Sequence, residues 1–268
     1  MICPTCGKLI SVSEERCPFC GAWRPGMFGY APALQKVIGR VDLSRLVIIA
    51  CVVLYVVSLA LQPEAMLGGG GLMSFLSPGS RALYQLGMTG GVAWQQHWWW
   101  TLFTATYLHG GLLHIAFNML SLYRLMPTVS DWYGAARAFV IYTIGGAVGY
   151  LVSNIATGHP TIGASSSIFA LVGAIVVHGR RRGGGAMTMQ LYQWAFMLFL
   201  MSFFIPSVNN WAHGGGFAGG FIVAEAMRFD DERRESRAVQ LLAVACVLVT
   251  IAGFVLSFVK VTAILMQR

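Results

Sequence analysis

Charge is what this sequence has least of. Asp, Glu, Lys and Arg make up only 10% of its 268 residues, while 56% are hydrophobic and the mean hydropathy is +0.66. Soluble domains carry about 25% charged residues, so a water-soluble globular chain is excluded. Strict polar–apolar alternation is missing too, which disfavours the strands of a transmembrane barrel. What remains is the helical route across a bilayer, at roughly 20 apolar residues per span. Seven runs are candidates: Leu46–Leu61, Leu108–Met126, Ala138–Ala156, Ile162–His178, Met187–Phe204, Trp211–Met227 and Val239–Ile264. The expectation is an all-α polytopic membrane protein. No secretory or organelle-targeting pattern opens the chain, and a bacterial plasma membrane is the default location. Internal repeats with broken helices or buried charge, the signature of small-solute transporters, are not evident.

Acidic residues are scarcer than basic ones, ten against eighteen, giving a net charge of +8. A basic excess can mark a nucleic-acid partner, but its distribution assigns another cause. With a cytoplasmic N-terminus and seven spans, every basic residue except Arg81, Lys260 and Arg268 falls on the inner side. This positive-inside bias predicts N-terminus in and C-terminus out, and no nucleic acid is required.

Of the six cysteines, Cys51 and Cys246 stand alone in apolar runs and are expected to pack there. The other four form two knuckles, Cys3-Pro4-Thr5-Cys6-Gly7 and Cys17-Pro18-Phe19-Cys20-Gly21, separated by a ten-residue arm. The duplicated C-x-x-C-G spacing predicts a small tetrahedral zinc ribbon with four cysteine ligands, Cys3, Cys6, Cys17 and Cys20. Two disulfides or a redox pair are the competing readings, disfavoured in a reducing cytoplasm. About 25 residues cannot bury a core of their own, so Zn2+ would supply the folding energy. Four cysteines leave no open coordination position, so the ribbon's role is structural or is the binding of a cytoplasmic protein partner. Between the first two spans lies a long external region, Gln62 to Tyr107, whose Trp94, Trp98, Trp99 and Trp100 fit an interfacial aromatic belt.

The candidate chemistry centres on Thr161-Ile162-Gly163-Ala164-Ser165-Ser166-Ser167-Ile168-Phe169-Ala170. Pro160 and Gly163 precede a continuous apolar run, which puts Ser165 in the first turn of a helix. There a hydroxyl meets unpaired backbone N–H groups and the positive end of the helix dipole, as an oxyanion site requires. Simple capping, or packing of small residues, accounts for three serines equally well. In the second run, His114 and Asn118 are four apart and share a helix face, able either to bind a developing oxyanion or to bridge neighbouring helices. In the sixth run, His213 lies in the first turn, and Gly216 and Gly220 form a small-residue face. If that face packs on the fourth helix, His213 comes within reach of Ser165 as a general base.

No carboxylate is available to orient that histidine. Glu14, Glu15 and Asp42 are N-terminal, Glu64 and Asp131 fall in loops, and Asp230, Asp231, Glu232 and Glu235 fall in the basic inner loop. Glu225 lies roughly 18 Å along the helix from His213. A Ser165–His213 dyad is therefore expected, with Phe169, one turn after Ser165, as stacking partner for the imidazole. The sequence holds no H-E-x-x-H, which disfavours a zinc protease.

Three motifs, His114-x-x-x-Asn118, Gly163-Ala164-Ser165-Ser166 and Ala212-His213-x-x-Gly216-x-x-x-Gly220, resemble those of the rhomboid family of intramembrane serine proteases, in the family's order, from about Trp98 to Met227. The resemblance implies a rhomboid-like six-helix core with one C-terminal transmembrane helix added. It implies Ser165 as nucleophile, His213 as base and an oxyanion hole of His114, Asn118 and the Ser165 N–H, with His109 shaping the region above. It implies no catalytic cofactor, and substrates that are transmembrane segments of other proteins in the bilayer. Two departures stand out: Ser166 where the family commonly has glycine, and Trp100-Thr101 where many relatives have Trp-Arg. The organisation expected is a cytoplasmic ribbon over 1–25, a linker over 26–45, a protease core over 46–228, and a basic loop with the seventh helix over 229–268. A catalytically silent relative that binds transmembrane clients is the competing function.

Overall fold

A computed structural model describes residues 3, 6–11, 13–21, 23, 42–67, 75–183, 185–204, 208–227 and 235–267. Most of the expected linker, with Lys36 and Arg40, lies outside the described residues. So does most of the basic loop, with Arg228, Arg233 and Arg234. The chain divides into two compact units, Met1–Leu46 and Val47–Arg268.

In the first unit the two knuckles repeat one geometry. Gly7 N–H donates to Cys3 O and Gly21 N–H to Cys17 O, both at 2.9 Å, with the glycines at φ 70° and 69°. That left-handed conformation suits glycine and turns each C-x-x-C back on itself. An antiparallel bridge joins Arg16 to Trp23.

Among the described residues are seven long helices: α1 Leu43–Leu61, α2 Leu112–Tyr133, α3 Ala135–Ala156, α4 Ser165–Arg182, α5 Ala186–Phe204, α6 Asn210–Ala226 and α7 Arg237–Met266. The seven apolar runs and these helices correspond one to one, and the helices reach further into polar flanks. Asp42 starts α1 as a cap, accepting from Arg45 N–H at 2.8 Å. The hydroxyl of Ser44 beside it, then the Arg45 N–H, hold its carboxyl below the usual carboxylate range. α2 runs through Pro127 to Tyr133, so Asp131 is helical rather than in a loop. A proline removes one backbone hydrogen bond, whereas ending a helix leaves several carbonyls unpaired. Gly134 alone separates α2 from α3, at φ 91°. Glu235, just before α7, accepts from the N–H groups of Ala136 and Arg137 at 2.7 and 3.0 Å and so caps α3.

By length and composition alone, α1, α3 and α7 are each able to cross a membrane. The helices that hold the site are more polar and pack by small residues. A Cβ on Gly145 of α3 would meet Ala170 of α4 at 2.5 Å and Gly220 N of α6 at 2.9 Å; one on Gly149 would meet Gly216 N at 2.7 Å. On the other side, Gly216 and Gly220 lie against the Ser166 and Ala170 carbonyls. Three backbones converge where side chains are missing. α4 is the innermost element, with Ala170, Leu171, Ala174, Ile175 and Val177 fully buried.

The region between α1 and α2 is locally structured, with short helices at Ser80–Gln85, Val92–Gln95 and Thr101–Thr104. The aromatic belt is only partly what composition suggests. Trp99 is exposed, but Trp98 is buried and stacks with Trp100 at 6.1 Å. Trp100 donates to Ser257 Oγ of α7 at 2.8 Å, and Lys260 lies over both rings. Polar groups on one edge of α7 hold these indoles against the fold.

Candidate active site

The loop entering α4 is held at each step. Thr161 N–H donates to Thr89 O at 2.8 Å and Gly163 N–H to Ala105 O at 3.0 Å, while the buried Tyr150 hydroxyl donates to Gly163 O. Gly163 sits at φ 122°, where a Cβ would meet His114 Nε2 at 2.6 Å. Its missing side chain therefore lets the α2 histidine close onto the loop that delivers Ser165. Gly110 N–H donates to His114 Nδ1 at 3.2 Å, which leaves the proton of a neutral imidazole on Nε2, the nitrogen beside Gly163. His109 is fully buried behind it, its ring 5.2 Å from that of His114, and its Nε2 accepts from Ala164 N–H at 3.5 Å. Asn118 is buried one turn below His114, and its amide donates to the His114 carbonyl at 2.8 Å.

α4 begins at Ser165, and its cap residue Ala164 offers no side-chain bond to the first turn. The three serines then divide. Ser166 is fully buried and donates to Gly146 O of α3 and Ala212 O of α6, at 2.9 and 3.1 Å. The space that Gly149 leaves receives that hydroxyl, which is how a serine fits at this position. Ser167 is fully buried and shares a hydrogen bond with Thr106 at 2.7 Å. Ser165 is half-buried, and its hydroxyl has no hydrogen-bond partner among the described residues. The first two are structural; the third is free.

His213 lies in the first turn of α6, next to the Ala212 carbonyl that Ser166 contacts. Its ring stacks on Phe169, centroids 4.4 Å apart and planes 20° apart. Ser165 and Phe169 are four residues apart on one face of α4, so the imidazole lies on the face that carries Ser165. His213 is buried, and its Nδ1 has no partner among the described residues. Glu225, at the far end of α6, pairs with Arg181 of α4. A free hydroxyl at a helix N-terminus, an imidazole on the same face and a facing His Nε2–H form a set able to perform acyl transfer. Tyr150, Thr161 and Asn209 also hold this geometry, and sequence reasoning does not single them out. Asn209 is the one open to recognition, as an Asn just ahead of an apolar helical run.

In the first unit the four cysteine sulfurs lie within 4.8 Å of one another. Cys3 Sγ and Cys20 Sγ are 3.8 Å apart, and Cys6 Sγ and Cys17 Sγ 3.6 Å. A tetrahedron of Zn–S bonds of about 2.3 Å has edges of ~3.8 Å, so the cluster fits a metal ion, whereas a disulfide needs about 2.05 Å.

Residues 96–230 match the Rhomboid domain family. The chain is 31% identical over 132 residues to the rhomboid protease GluP of Bacillus subtilis, covering 48% of this chain and about a quarter (26%) of that protein. It is 30% identical over 157 residues to YdcA of the same organism, covering 56% of this chain and 75% of that protein. Further off, it is 27% identical over 170 residues to inactive RHOMBOID-like protein 8 of Arabidopsis thaliana, covering 60% of this chain and 47% of that protein.

Proposed function

Since this chain belongs to the rhomboid family of integral membrane proteins, we propose that it is a serine endopeptidase that cuts transmembrane segments of other membrane proteins, with Ser165 and His213 as a dyad. Ser165 Oγ attacks the scissile carbonyl carbon while His213 takes the hydroxyl proton. The resulting oxyanion accepts hydrogen bonds from the Ser165 N–H, from His114 Nε2–H and from the second amide hydrogen of Asn118. Collapse expels the amine, which takes the proton from His213 and leaves an acyl ester on Ser165. Water, deprotonated by His213, then attacks the ester; the ester bond breaks, His213 returns the proton to the departing Ser165 Oγ, and the acid product leaves. Phe169 holds the imidazole in place of the missing carboxylate, and His109 supports the His114 side of the site. Gly163, Gly216 and Gly220 allow the close approaches. Substrates with helix-breaking residues near the cut are favoured, because a helix hides its own peptide bonds.

The observation that carries this reading is the difference among the serines: Ser166 and Ser167 are tied down, and Ser165 is free on the face that holds His213. Cleavage of a transmembrane reporter in liposomes tests it. Wild type is expected to cut, with Ser165→Ala and His213→Ala each slower by at least roughly 10³-fold. A folded wild type that cuts nothing would instead support the silent client-binding reading, which the likeness to an inactive relative keeps in play.

The domain limits and the orientation, N-terminus inside and C-terminus outside in a plasma membrane, are part of the proposal. So is Zn2+ on Cys3, Cys6, Cys17 and Cys20, in a structural role beside a dyad that uses no cofactor, with a cytoplasmic protein as the ribbon's partner. Metal analysis of the purified chain is expected to find about one zinc per chain, lost in Cys6→Ser, while reporter cleavage persists. Absence of zinc from wild type, or zinc retained in the variant, would refute the site.

A further inference from the structure

Asn209 precedes His213 by one turn, and its side chain makes hydrogen bonds in three directions. Oδ1 accepts from Ala212 N–H at 3.2 Å and so caps α6. Nδ2 donates to Ser153 Oγ of α3 at 2.6 Å and to Thr161 Oγ1 at 3.0 Å, in the loop that delivers Ser165. Both acceptors are themselves anchored. Ser153 is fully buried. Thr161 is bonded to Thr89 through its N–H, at 2.8 Å, and donates its hydroxyl to His159 O at 2.9 Å. With its proton committed there, the Thr161 oxygen takes a donor from Asn209.

A helix cap needs only an acceptor, and Ser, Thr or Asp serve as well as Asn. The amide supplies two donors beyond that need. Those donors join the first turn of the helix that carries His213 to α3 and, through Thr161, to the loop four residues before Ser165. The adjacent Asn210 secures the same helix end from the other side, its Oδ1 accepting from Ser202 Oγ of α5 at 2.7 Å.

We propose that Asn209 is a positioning residue, which fixes the imidazole of His213 relative to the hydroxyl of Ser165 by bridging α6 to Thr161 and Ser153. The inference rests on the dyad reading above. Its physical basis is the sensitivity of a proton-transfer pair to placement: about 1 Å of misalignment can cost on the order of 10²-fold in rate. Among the described residues no carboxylate bonds to His213, so its direction is set by Phe169 and by the anchoring of its own helix.

The test uses the full chain in detergent and the variants Asn209→Ser, Thr161→Val and the double. Serine keeps the cap but is too short to reach Thr161; valine removes the acceptor while leaving Asn209 intact. Three quantities are measured: the rate of labelling by a fluorophosphonate, kcat and KM on a transmembrane reporter, and the thermal midpoint. Each single variant is expected to lower the labelling rate and kcat by about tenfold or more, with KM within about twofold of wild type. The double variant is expected to be no slower than the worse single one, since both break the same bridge. A merely structural role would lower the midpoint and leave kcat per folded molecule unchanged. Asn209→Ser labelling at the wild-type rate, where wild type labels and Ser165→Ala does not, would overturn this inference alone. Failure of wild type to label, in a folded preparation, would overturn the dyad and this inference with it.

Discussion

The helices that face outward and those that hold the site follow opposite rules of composition. α1 and α7 are more apolar than α3, yet only 28% and 22% of their apolar stretches is buried, against 67% for α3. The outward side chains of these two apolar helices are thus little enclosed by the chain, as with Val53, Val56, Leu248 and Val255. In water that pattern would be an aggregation hazard; in a bilayer, lipid covers these faces. Since lipid is as apolar as leucine, hydrophobicity cannot pull helices together there, and close packing and hydrogen bonds must. That is why α3, α4 and α6 meet through glycines, and why the Ser166 hydroxyl is spent between them, while those of Ser167 and Tyr150 are tied to Thr106 and to the Gly163 carbonyl. Of the three serines that open α4, Ser165 alone keeps an uncommitted hydroxyl among the described residues.

Substitutions can break that contrast. The largest effect is expected at Gly220, whose position against the Ala170 carbonyl leaves no room for a side chain. Gly220→Val is expected to cost about 1–3 kcal/mol or more through overpacking, seen as a lowered thermal midpoint and lost labelling. A smaller effect is expected where α7 turns its polar edge inward. Trp100→Phe deletes the bond to Ser257 and is expected to cost about 0.5–1.5 kcal/mol in denaturation measurements. The smallest is expected on the outward face: Val255→Ala should stay within about 0.5 kcal/mol of wild type. A Val255→Ala penalty equal to that of Gly220→Val would dissolve the distinction between the two regions.

Much of the fold is legible because hydrocarbon imposes a simple demand on sequence. Seven apolar runs announce seven helices, and the one-turn spacing of Gly216 and Gly220 announces a face for close approach. The start of α4 at Ser165 follows from Pro160 and Gly163 ahead of an apolar run. What escapes depends on contacts between residues far apart in the chain. Asp131 looks like a loop residue because it lies beyond the apolar run that ends at Met126, yet the helix continues through Pro127 and past it. Trp98 and Trp100 have the composition of an interfacial belt, and only Ser257 and Lys260, far along the chain on α7, show what they pack against. Likewise Ser166 differs from Ser165 only through Gly146 and Ala212, which sit on two other helices. Three consecutive serines are equivalent as letters; their partners divide them.

That division is the claim most directly open to measurement. Wild-type protein is reacted with a fluorophosphonate, digested, and the modified residue located by mass spectrometry, with His213→Ala as control. The phosphonyl group is expected on Ser165 alone, and to be absent when His213 is replaced. Modification of Ser166 or Ser167, or labelling of Ser165 that persists without His213, would contradict the account.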